Sequence, residues 1–161
     1  MSDPLAVYLH DHMAGSNFAV EMLGAMREQH KGEPLGNFAS TILPEIEQDR
    51  EVLRGLIEHV GSGDADLKEA AAWLSEKVSR FKPGRDQGQG AGTFEALETL
   101  APGIQGKWSL WRALLVISEE DDRVRGVDYH QPGKRAEEQH RRVEEHRSRV
   151  ARQVFREPVP H

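Results

Sequence analysis

One stretch constrains this chain more than any other: residues 93–118, TFEALETLAPGIQGKWSLWRALLVIS. Phe94, Leu97, Ala101, Ile104, Trp108, Trp111 and Leu115 recur at steps of three and four, the register of a single helical face. Two of the chain's three tryptophans sit on that face one turn apart. A solvent-facing helix has no use for such a pair, whereas a helix against which others pack does. Thr93 is the expected N-cap, its hydroxyl oxygen accepting a free first-turn amide. The stripe continues in phase across Pro102–Gly103, so the stretch reads as one kinked helix over about 94–118.

Four further helical patterns surround it. Asp3 followed by Pro4 is a cap with proline at the first helical position, opening a helix over about 4–30. Its stripe is Leu5, Leu9, His12, Ser16, Ala19, Leu23 and Met26. Gly15, Ser16 and Gly24 weaken that helix, by up to about 1 kcal/mol per glycine. The expected compensation is close approach of a neighbour. Gly32 is read as its C-cap. A second helix spans about 35–60, with Leu35, Phe38, Ile42, Ile46, Asp49, Leu53 and Leu56 in phase and a kink or restart expected before Pro44. A third covers about 65–81 behind an Asp64 cap, and the glycine-rich stretch 82–92 reads as a loop. The last covers about 134–155, with Asp128 as an early cap and Ala136, Val143, Val150 and Val154 facing inward. Its Glu137–Arg141, Glu138–Arg142 and Glu145–Arg149 spacings suit i,i+4 ion pairs.

No segment alternates with period two, so no sheet is expected. Long helices with short breaks predict an all-α fold: an antiparallel four-helix bundle plus an additional C-terminal helix, in one domain over residues 1–161. The chain has no cysteine, which excludes disulfides, thiol redox chemistry and cysteine zinc sites. The N-terminus lacks a basic region followed by an apolar run, and the longest apolar run, Ala113 to Ile117, is far too short to span a bilayer. A soluble, cytoplasmic protein without a membrane partner is expected. The net charge of −6 disfavours nucleic acid as a partner. Residues 134–156 do carry eight Lys/Arg against four Asp/Glu, but glutamates interrupt them, which fits a solvated helix lying on its own acidic remainder.

The informative polar residues are those on apolar stripes, because a buried charge costs several kcal/mol unless paired. His12, Glu45, Asp49, Glu76 and Lys107 form the expected buried network: Lys107 neutralised by carboxylates, His12 hydrogen-bonded to one of them. The sharper alternative is a metal centre, with iron held by Glu21, Glu45, Asp49, Glu76 and Glu98. The Glu-x-x-His spacing of di-iron bundles is missing from the second and central helices; its single instance is Glu137 to His140. Gly103–Ser109 echoes a phosphate loop without its spacing or preceding strand, and its glycines read as packing contacts. His12 and Ser16, one turn apart, lack an orienting acid and an oxyanion turn.

Together, the segments DHMAGSNFAVEML, EIEQDREVLRGLIEHVG, AAAWLSEKVSRFK, GIQGKWSLWRAL and AEEQHRRVEEHR resemble an uncharacterised bacterial family of ferritin-like helical bundles. That resemblance covers nearly the whole chain and implies a ferritin-like topology. The expected function is that of a non-catalytic bundle without a cofactor, acting through self-association or a protein partner. The alternatives are metal binding in iron handling or oxidative stress, and a small-ligand site in an apolar pocket near Trp108 and Trp111.

Overall fold

The computed structural model describes residues 3–61, 90–156 and 158–159 of the chain. Among these residues the fold is all-helical and contains no strand: α1 is Pro4–Gln29, α2 Pro34–Val60, α3 Ala91–Ile117 and α4 His130–Val154, with a 3-10 turn at Asp122–Val124. The helix expected over 65–81, and Glu76 within it, lie outside the described residues.

The helix starts follow from local chemistry. The Leu5 amide donates to Asp3 Oδ1 at 3.0 Å, and Pro4 occupies the first turn, where its missing N–H has no bond to lose. At α4 the amides of His130 and Gln131 both donate to Asp128 Oδ1, at 2.9 and 3.3 Å, with Pro132 in the first turn. The expected Thr93 cap is corrected: α3 begins earlier, at Ala91, because Gly90 adopts a left-handed φ of 85° and closes the entry. Thr93 is instead buried, its hydroxyl 3.1 Å from His30 Nε2, while His30 Nδ1 lies 2.8 Å from Glu33 Oε2. This chain of polar contacts ties the α1–α2 turn to the first turn of α3. Gly32 does not cap α1, which ends at His30; it takes a φ of 83° in the turn that follows. Neither internal proline ends its helix: α2 runs through Pro44 and α3 through Pro102.

α1 packs chiefly on α2 and α3 chiefly on α4, and the two pairs meet through α1 with α3 and α2 with α4. The core between them contains Leu9, Leu23, Ile42, Leu97, Leu114 and Val143, all fully buried. Trp111 is 1% exposed at its centre and stacks on Tyr129, ring centroids 6.3 Å apart. Trp108 departs from the expected stripe. It is half-buried, donates from Nε1 to Glu137 Oε1 at 3.0 Å, and carries Arg112 over its ring. Glu137 is thereby drawn to α3, and Arg141 pairs with Glu138 and Glu145.

Candidate functional site

Two features meet on the inner face of α3: a cavity and a buried ionic network. The cavity has a volume of about 260 Å³ and lies between α1, α2 and α3. Its space comes from small residues. Gly15, Ser16 and Ala19 of α1 and Gly103 of α3 line it, and a Cβ built on Gly15 or Gly103 meets no described atom within 4 Å. The close helix approach expected at Gly15 and Gly24, and the packing contact expected at Gly103 and Gly106, are therefore absent among the described residues. Phe18, Met22, Ile46, Leu53, Leu100 and Trp111 make the rest of the wall largely apolar.

The polar end of this cavity is Asp49 and Lys107. Asp49 is 2% exposed because its position on α2 is in phase with Ile42, Ile46, Leu53 and Leu56, all buried. Lys107 Nζ donates to Asp49 Oδ2 at 2.7 Å and to Gln139 Oε1 of α4 at 2.5 Å. Gln139 is itself fully buried and donates from Nε2 to Glu45 Oε2 at 3.3 Å. Glu45 also accepts from Arg142. Arg135 brings Nε to 3.6 Å from Asp49 Oδ1 and donates through Nη1 to Gln48 Oε1 at 2.7 Å. Burial pushes the Lys107 ammonium below its ordinary pKa, and the Asp49 carboxylate opposes that shift without cancelling it.

Among the described residues, two polar atoms on the cavity lining have no hydrogen-bond partner: Asp49 Oδ1 and Trp111 Nε1, both buried. His12 also lines the cavity. Its edge packs against Tyr8, ring centroids 4.7 Å apart, and burial holds its pKa below that of a free imidazole. Among the described residues no hydrogen bond joins His12 to a carboxylate.

Of the residues singled out from sequence, the structure thus brings Glu45, Asp49 and Lys107 into one network and places His12 on the cavity wall beside it. Of the alternative iron ligands, Glu21 is exposed on α1 and Glu98 is paired with Arg147 at 2.8 Å. No three His, Asp or Glu side chains gather into a metal-holding group among the described residues. Sequence reasoning missed Gln139, Arg135 and Arg142. Gln139 was findable, since it lies three residues after Ala136 and four before Val143, on the buried stripe of α4.

No described helix is long and apolar enough to cross a membrane. No protein-family model, curated protein or solved structure matches the chain.

Proposed function

We propose that this chain is a ferritin-like, antiparallel bundle that works as a non-catalytic binding protein, holding one small and mainly apolar molecule between α1, α2 and α3. The observation that carries the reading is the cavity of about 260 Å³ with Trp111 in its wall and Asp49 and Lys107 at its polar end. An apolar cavity of roughly 150 Å³ is enough to take up benzene. A few fixed polar groups in an otherwise apolar wall are the usual composition of a ligand site. Association through exposed apolar side chains has less support: Val116, Val127, Phe155 and Val159 lie on α3, the α3–α4 connection and the C-terminal end.

The test is a fluorescence titration with para-propyltoluene on the wild type and on Gly15→Leu. A Cβ on Gly15 meets no described atom within 4 Å, so a leucine there enters the cavity, and binding should be lost while the melting temperature holds or rises. A wild type that shows no saturable response, or a Gly15→Leu variant that binds as well, would overturn the reading.

A further inference from the structure

We infer that the molecule taken by the cavity is an unbranched alkyl chain, lying lengthwise between α1 and α3 over a floor made by α2. This rests on the ligand-binding reading above and adds the shape and class of the ligand. The lining runs from His12 to Met22, about 15 Å along α1, and from Thr99 to Trp111, about 18 Å along α3. Each stretch is about three turns of helix. A round chamber of about 260 Å³ would be only about 8 Å across and would touch about one and a half turns. The same volume drawn out along three turns is a slot, longer than it is wide.

Burial gives the slot a floor and an open side. Ile46, Asp49 and Leu53 of α2 are buried, whereas Gly15, Ser16 and Ala19 of α1 and Thr99 and Lys107 of α3 are part-exposed. α1 packs chiefly on α2 and α3 chiefly on α4, so the open side is the seam where neither helix has its main partner. A straight chain lies along that seam over its whole length; a bulky molecule of equal volume fills the width and leaves the ends empty. The ionic pair asks nothing of such a ligand. Lys107 Nζ donates to Asp49 Oδ2 and to Gln139 Oε1 of α4, a helix that contributes no described residue to the lining. The ammonium thus has acceptors within the protein, and the rest of the Lys107 side chain is a methylene stem. Phe18, Met22, Leu100, Ile104 and Leu110 add apolar wall, and a methionine adapts readily to a flexible chain.

The experiment measures n-hexanol, n-octanol, n-decanol and dimethyloctanol, the branched isomer of n-decanol, by calorimetry on the full chain, with para-propyltoluene alongside. Each added methylene should tighten binding about fourfold while the slot has room, so n-decanol should bind at least about tenfold more tightly than n-hexanol. Dimethyloctanol has the formula of n-decanol, so shape alone separates the two. Its methyl branches press on the walls and should weaken binding at least about fivefold. Ala19→Leu fills the slot between Ser16 and Met22, and should weaken n-decanol at least about fivefold more than n-hexanol. A rise of under about tenfold from n-hexanol to n-decanol, or a branched isomer within about fivefold of the straight one, overturns the chain assignment. The cavity reading then stands if para-propyltoluene binds. If none of the ligands binds, the cavity reading falls and the chain assignment falls with it. A folded Ala19→Leu whose preference for n-decanol is undiminished also overturns the assignment, and the wild-type series decides even if that variant fails to fold.

Discussion

Lys107 of α3 and Asp49 of α2, 58 residues apart, meet at 2.7 Å with side chains only 13% and 2% exposed. A pair this buried is held in place by its mutual attraction, yet it is not a large net stabiliser, because both charges have left water. Burial pushes the Lys107 pKa down even with Asp49 alongside, in keeping with that balance.

The consequence is an asymmetry between breaking the pair and replacing it. Lys107→Met strands the Asp49 carboxylate, with Arg135 at 3.6 Å as the remaining cation paired with it among the described residues, and should cost about 3 kcal/mol or more. Lys107→Met combined with Asp49→Leu removes both charges and should cost well below the sum of the two single changes, with a coupling of about 2 kcal/mol. Urea unfolding of the four proteins measures this. A single-variant cost under about 0.5 kcal/mol would show that Lys107 is solvated.

Acid should loosen the fold before the carboxylates titrate. A histidine in the unfolded chain ionises near 6.5. His12 is held below that value by burial, and His146, packed on Phe38 at 4.3 Å, by burial and then by Arg149. Between each folded value and about 6.5 the unfolded chain binds more protons, so stability falls as pH drops through that range, and the loss is complete below the folded values. Asp3, Asp121, Glu138 and Glu144 are held below ordinary carboxylate values by Arg123, Arg123, Arg141 and Arg147 respectively, so their contribution is lost in a separate and more acidic window. The urea midpoint should therefore be lower at pH 5.5 than at pH 7.5. Replacing both histidines with glutamine should flatten the difference, and a flat wild-type profile would refute the assignment.

The same residues show what one dimension can carry. Asp49 and Lys107 were legible as interior charges because one sits in phase with its helix's apolar stripe and the other beside it, and charges there need a counter-charge; which of Glu45, Asp49 and Glu76 would meet Lys107 was left open. The choice of partner across helices was not legible for Arg142, which fits the local i,i+4 rule with Glu138 yet turns to Glu45 of α2. That choice depends on the register of α4 along α2, a relation no spacing within α4 encodes. Gln139 was overlooked for a different reason: it bears no charge, so nothing about its burial demands explanation until Lys107 is seen to donate to it. The cavity was illegible because small residues on facing helices have two outcomes, close approach or empty space, and among the described residues Gly15 and Gly103 show the second.

Gly36 took the first. A Cβ built there falls 2.0 Å from the His30 carbonyl oxygen and 2.6 Å from its carbon, atoms of a backbone turn that cannot swing aside. Gly36→Ala must displace the α1–α2 turn, and with it the His30 contacts to Thr93 and Glu33, and should cost about 2 kcal/mol or more. Gly55 is the control: it is exposed, lies inside α2, and a Cβ there meets no described atom within 4 Å. Gly55→Ala should stabilise by about 0.5–1 kcal/mol through helix propensity alone. Thermal melts of the two variants should move in opposite directions, and a Gly36→Ala melt at or above wild type would refute the close approach.

Tyr129 fixes the way α4 enters the fold. Its hydroxyl donates to the Val124 carbonyl at 2.5 Å in a buried setting, and its ring stacks on Trp111. Tyr129→Phe keeps the ring and removes the donor, leaving the Val124 oxygen short of a partner, so it should cost about 1–3 kcal/mol without unseating the aromatic pair. Burial pushes the Tyr129 phenol up to about 12. In an absorbance titration of the folded protein one of the chain's two tyrosines should ionise near that pH, and this step should be the one missing from Tyr129→Phe. A cost under about 0.3 kcal/mol, together with normal ionisation near pH 10, would place the hydroxyl in water and break the link between the 3-10 turn and α4.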